Sequence, residues 1–86
     1  MPAPYKLLVK RSAERELRAL PKPDRKRIVG RIQSLAFEPR PTGCEKLFGE
    51  HGYRVRQGDY RILYTVDDGA PEVQIYQIGH RRAVYR

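Results

Sequence analysis

A single cysteine, Cys44, stands in a chain of 86 residues, so no internal disulfide framework can form. No apolar run is long enough to cross a bilayer, and no membrane partner is expected. The N-terminus, MPAPYKLLVK, has neither the hydrophobic region nor the small-residue cleavage site of a secretory signal, and a cytoplasmic location is expected. Metal-ligand spacing, a glycine-rich phosphate loop and a serine nucleophile motif are all missing. Neither a metal site nor a cofactor is therefore expected. There are no repeats or low-complexity segments. Acidic residues are scarce: 10 Asp and Glu stand against 18 Lys and Arg, a net charge of +8. Residues 1–50 hold 12 basic and 6 acidic side chains, and residues 51–86 hold 6 and 4, so the excess is not confined to a basic tail. Such a field favours a polyanion or an acidic protein partner.

What is present suffices for one small domain, residues 1–86, with one core. Tyr5 to Lys10 reads as a strand. Ser12 is a plausible N-cap, with Glu14 and Glu16 in the first turn, where the helix dipole favours acids. Ala13, Leu17 and Leu20 share one helical face, and the spacing predicts a helix over 12–20. Pro21 stops it and Pro23 suits the first turn of a second helix over 22–37. There Ile28, Val29, Ile32, Leu35 and Ala36 form an apolar stripe. Gly30 suggests close packing against the first helix. After Gly43 the hydrophobic period becomes that of strands: 45–48, 53–57, 60–66 and 73–78. The order β-α-α-β-β-β-β is that of an α+β domain, a two-helix hairpin packed on one face of a mainly antiparallel sheet. The other face is expected to be uncovered.

The stretch YRVRQGDYRILY, from Tyr53 to Tyr64, reads as a hairpin closed by a type II′ turn at Gly58-Asp59. That turn sets Arg56 opposite Arg61, and Arg54 opposite Leu63. Alternation puts Tyr53, Val55, Ile62 and Tyr64 on the core face and Arg54, Arg56 and Arg61 on the other. Like charges opposed across a ladder repel. A phosphate between them would convert repulsion into charge-assisted contacts. The tail adds the imidazole of His80, with Arg81, Arg82, Tyr85 and Arg86. Cys44, His51, Glu45 and Glu50 are read as structural.

These residues carry a resemblance. The run from Tyr53 to Tyr64, the acidic turn Asp67-Asp68, and Ile78-Gly79-His80-Arg81-Arg82 followed by Val84-Tyr85 together resemble the RelE branch of the RelE/ParE toxin superfamily of type II toxin–antitoxin modules. The resemblance implies a metal-independent endoribonuclease that cuts mRNA in the ribosomal A site. The ribose 2′-OH would attack the adjacent phosphate to give a 2′,3′-cyclic phosphate. It implies a cognate acidic antitoxin as partner, in a toxin–antitoxin hetero-oligomer, besides the ribosome and mRNA. By the same resemblance Arg54, Arg56, Arg61, Arg81 and Tyr85 are site residues. Arg82 and Arg86 are expected to contact RNA as peripheral steering charges. The branch has lysines where this chain has Arg54 and Arg56. Arginine cannot serve as a general base, so His80, and after it Tyr85, is the expected proton acceptor. Two other readings stand beside this one: a ParE-like inhibitor of DNA gyrase, and a non-enzymatic RNA- or ribosome-binding module.

Overall fold

The structure is a computed structural model and describes residues 4–47 and 52–80. In chain order the elements are β1 (Lys6–Val9), α1 (Arg11–Arg18), α2 (Lys22–Leu35), β2 (Glu45–Lys46), β3 (Gly52–Gln57), β4 (Tyr60–Asp67) and β5 (Glu72–His80). The strands form one sheet in the order β1-β5-β4-β3-β2. Within it β1 pairs parallel with β5, and every other described pairing is antiparallel. The α+β architecture and the element order agree with the sequence reading. No helix among the described residues is long and apolar enough to cross a membrane.

The local signals held where proline set them. Pro21 is the N-cap of α2 and Pro23 lies in its first turn, where a missing N–H costs nothing. The expected Ser12 cap is corrected. Helix α1 starts at Arg11, with Lys10 as N-cap and no side-chain cap bond. The reason is that Lys10 serves two elements at once: its N–H donates to Ile75 O at 2.8 Å, and its carbonyl accepts from Glu14 N at 2.9 Å. The strand therefore passes into the helix through Lys10 with no side-chain cap bond. Close packing at Gly30 is also corrected, since nothing lies within 4 Å of where its Cβ would be.

The core lies between the helices and one face of the sheet. Ala13 from α1 and Ile28, Ile32 and Leu35 from α2 pack with Val55, Ile62, Tyr64, Val66, Val73, Ile75 and Ile78. Each such Val, Leu or Ile contributes roughly 1.5–3 kcal/mol by leaving water. Strand β5 has one irregularity. Leu63 opposes Gln77 and Tyr64 opposes Ile75, so Tyr76 is an extra residue. Strict alternation would put Ile75 and Ile78 on opposite faces. The bulge lets both enter the core, at 0% and 1% exposure. Beyond the last β1 pairing, at Val9 and Ile75, the Ile78 N–H donates to Glu16 Oε1 at 2.8 Å. A buried backbone donor needs such an acceptor, and here a helix side chain supplies it.

Glu16 thus fastens α1 to the bulged strand. Glu16→Ala should lower the free energy of urea unfolding by about 1–3 kcal/mol, because it strands that donor. Glu16→Gln should keep most of it, because the amide oxygen still accepts. Equal stability of the wild type and the alanine variant would remove this contact from the account of α1 docking.

Candidate functional site

The turn that closes the hairpin needs a residue with positive φ, and Gly58 supplies it at +62°. Register follows as expected: Arg56 opposes Arg61, Val55 opposes Ile62, Arg54 opposes Leu63 and Tyr53 opposes Tyr64. Val55, Ile62 and Tyr64 are buried under the helices. Arg54, Arg56 and Arg61 consequently share the face on which no helix lies.

That face is less open than alternation suggested. Arg61 retains only 9% exposure and Leu63 6%. Strand β4 is the third of five, so its side chains are shielded from both sides. Tyr76 also crosses over it, since its hydroxyl stands 3.9 Å from where a Gly52 Cβ would be, two strands away. The Arg61 Nε is buried and has no hydrogen-bond partner among the described residues. On β5 the residue opposite Arg61 is Gly79, which has no side chain to fill the space beside the guanidinium. Arg56 is exposed.

The third arginine is already engaged. Arg54 Nε and Nη2 both donate to Glu45 Oε1, at 3.0 and 2.8 Å. Glu45 opposes Arg54 across the β2–β3 ladder. The Arg54 guanidinium, with Arg61 and Arg56 behind it, holds the Glu45 carboxyl below the usual carboxylate range. The sequence reading took Glu45 as structural. No local signal marked it, because it follows from the register on β3 of the two-residue strand Glu45–Lys46, which puts an acid into the basic face.

His80 does not join this cluster. It opposes Tyr60, and Tyr60 alternates with Ile62 and Tyr64 on the helix side. The two rings meet edge to face, with centroids 5.8 Å apart. The Tyr60 hydroxyl donates to Asp24 Oδ2 at 3.3 Å, and burial followed by the Asp24 charge pushes its pKa up. Asp24, Arg27, Tyr60 and His80 help to line a cavity of about 370 Å³ at that end of the sheet. Arg81, Arg82, Tyr85 and Arg86 lie outside the described residues. Among the described residues no group of three or more His, Cys, Asp or Glu side chains could hold a metal ion. The arrangement that remains is one buried and one exposed guanidinium directly opposed, with an Arg–carboxylate pair beside them. It can bind a phosphate and stabilise charge that builds on it.

Comparison with known proteins bears on the family and the fold. The sequence pattern of the family described as the ParE toxin of type II toxin–antitoxin systems, parDE, matches residues 7–85. The chain is 32% identical over 89 residues to Toxin RelE of Mycobacterium tuberculosis, covering 96% of this chain and 88% of the relative. Among solved structures it resembles the toxin–antitoxin complex RelBE2 of Mycobacterium tuberculosis, with a TM-score of 0.80, 31% identity, and coverage of 91% of this chain and 99% of that one. It also resembles the archaeal RelE–RelB complex of Pyrococcus horikoshii OT3, with a TM-score of 0.77, 26% identity, and coverage of 90% and 94%.

Burying Arg61 without a partner for its Nε opposes folding. Arg61→Met keeps the length of the side chain and removes the charge. It should be neutral or stabilising by up to about 4 kcal/mol, since apolar replacements of buried ionic groups behave in this way. Thermal unfolding would show an unchanged or higher Tm. A clear drop in Tm would mean that the guanidinium is held by contacts that favour the fold.

Proposed function

This chain belongs to the ParE toxin family of type II toxin–antitoxin systems, within the RelE/ParE superfamily, and from that membership we propose that it is an endoribonuclease that cuts mRNA in the ribosomal A site. The observation that carries the reading is the opposition of Arg56 and Arg61 on one face, with Arg61 buried and Gly79 across from it. A phosphodiester seated between the two guanidiniums relieves their repulsion. It also meets donors matched to its oxygens.

In the reaction we propose, the ribose 2′-oxygen attacks the adjacent phosphorus and the bond to the 5′-oxygen breaks. The electron pair leaves on that oxygen, which takes a proton from solvent. The products are a 2′,3′-cyclic phosphate and a 5′-OH. Arg56, Arg61 and Arg81 stabilise the charge that builds on the phosphoryl oxygens. Arg54 positions the backbone, Tyr85 stacks on a base to hold it for in-line attack, and Arg82 and Arg86 steer. The roles of Arg81 and Tyr85 rest on the family resemblance, and those of Arg82 and Arg86 on their charge alone. The proton on the 2′-OH needs an acceptor. His80 pairs with Tyr60 on the helix side of the sheet, away from the arginines. Glu45 is a carboxylate on the arginine face, and we assign the proton to it.

Primer extension on mRNA from a translation extract tests this directly. The wild type should cut within the A-site codon. Arg61→Ala should slow single-turnover cleavage roughly a hundredfold to a thousandfold, the usual loss for one transition-state contact. Glu45→Gln should lose most of the rate, and His80→Gln should keep it. The reverse pattern would return the proton to His80. Gyrase-dependent DNA damage with intact mRNA would replace the nuclease by the gyrase reading, and arrest of translation without cleavage would leave a binding module.

Two of the similar solved structures are a toxin–antitoxin complex and a RelE–RelB complex. For this chain we propose a cognate antitoxin whose acidic segment covers the Arg54, Arg56 and Arg61 face or displaces residues 80–86, so blocking RNA. The two would form a hetero-oligomer in the cytoplasm, where the ribosomes are. Association should slow as salt rises, because opposite charge steers the encounter. Stopped-flow mixing at several ionic strengths would show it, and a salt-independent on-rate would exclude steering by this face.

A further inference from the structure

On the arginine face the cation meant for the RNA backbone is already occupied. Arg54 makes both of its described hydrogen bonds to a single oxygen of Glu45. Two N–H groups on one anionic oxygen is also the geometry that a phosphodiester oxygen would offer. The two partners differ in their surroundings. The Arg54 side chain is 19% exposed and the Glu45 side chain 58%. The cation is therefore held by the sheet, while its acid is open to water. Glu45 sits on β2, a strand of two residues at the edge of the sheet, where little else fixes it. A pair exposed in this way is cheap to open.

We propose that Glu45 is a built-in counterion, which holds Arg54 in position in the free protein and is exchanged for an RNA phosphate when RNA binds. The exchange rests on the reading of RNA as the ligand of this face. It does not rest on cleavage. It conserves charge: Arg54 passes from one anion to another and is never left unpaired. It keeps the arginine ordered beforehand, so the site does not have to assemble around the RNA. It also acts as a filter, because a ligand must displace the carboxylate and weak or misplaced anions do not. Once displaced, Glu45 is freed from its closest cation while it remains on the face where the 2′-OH proton must be taken. The counterion and the proton acceptor are thus one group in two states.

The test is binding of a single-stranded RNA oligonucleotide carrying 2′-O-methyl groups, which cannot be cleaved, followed by fluorescence anisotropy over a range of salt. Glu45→Gln keeps the shape and removes the competing charge. It should bind about three- to tenfold tighter at low salt. The slope of log affinity against log salt should steepen, because in the wild type the freed carboxylate takes up a cation that offsets one released from the RNA. Adding Arg54→Ala to Glu45→Gln should remove the gain. Glu38→Gln, the same charge change at an exposed position elsewhere, should not produce it. The exchange is overturned if Glu45→Gln binds no tighter, if the gain survives the loss of Arg54, or if Glu38→Gln matches it.

The nuclease reading is judged separately, by cleavage on the ribosome. A chain that cuts nothing but tightens with Glu45→Gln loses the nuclease and keeps the exchange. A chain that cuts but does not tighten loses the exchange and keeps the nuclease. When both hold, Glu45→Gln binds RNA better and cuts it worse, a split that general damage to the fold would not give.

Discussion

Arg56 and Arg61 face one another because the opposite side of the same two strands has to be buried. Val55 and Ile62 are opposed one step further from the turn, and Tyr53 and Tyr64 three steps. All four are core residues. A slip of one residue would turn that set to solvent and drive arginines under the helices. The burial of several large side chains, at roughly 1.5–3 kcal/mol each, outweighs the repulsion of one like-charged pair, which is at most about 1 kcal/mol. The core therefore enforces a cation pair that the surface would not choose, and the charge at the site is a consequence of packing on its other side.

The strain of that arrangement is distributed unevenly. Arg61, on the central strand, is buried with its Nε unpartnered. Arg54, one strand nearer the edge, has been given an acid. Arg56 remains exposed. The three positions span a range from full desolvation to open water within one patch. A phosphate arriving there meets a buried cation, an exposed one and one that must first release its partner. Stability and function pull in opposite directions most strongly at Arg61, which has the least to offer the fold and the most to offer an anion in a site of low dielectric.

Much of this was legible in the residues. Proline marked the helix boundaries, because it lacks an N–H and fixes φ. Gly58-Asp59 set the hairpin register, because few residues tolerate positive φ. Alternation in Tyr53–Tyr64 sorted the two faces, because the period of a strand is two. Other features were not legible. Lys10, the N-cap of α1, is held by a backbone bond to Ile75, a contact across 65 positions that no local pattern encodes. Glu45 meets Arg54 through the register of a two-residue strand, too short to display a period. Tyr76 reaches over β4, which made the arginine face narrower than an open sheet.

By itself the sequence determined the order of the elements, the turn, and the three arginines that share a face, since each follows from local sterics or from a strict two-residue alternation. The tertiary structure decided the side on which His80 stands. Counted from Val73 and Ile75 along an unbroken strand, His80 falls on the face of Arg56 and Arg61. The extra residue at Tyr76 shifts the count by one, brings Ile78 into the core and turns His80 to Tyr60. A bulge forms where packing on both sides of it is better with one more residue than without. That comparison involves α1, Glu16 and the core together, and it exists only once the chain has folded.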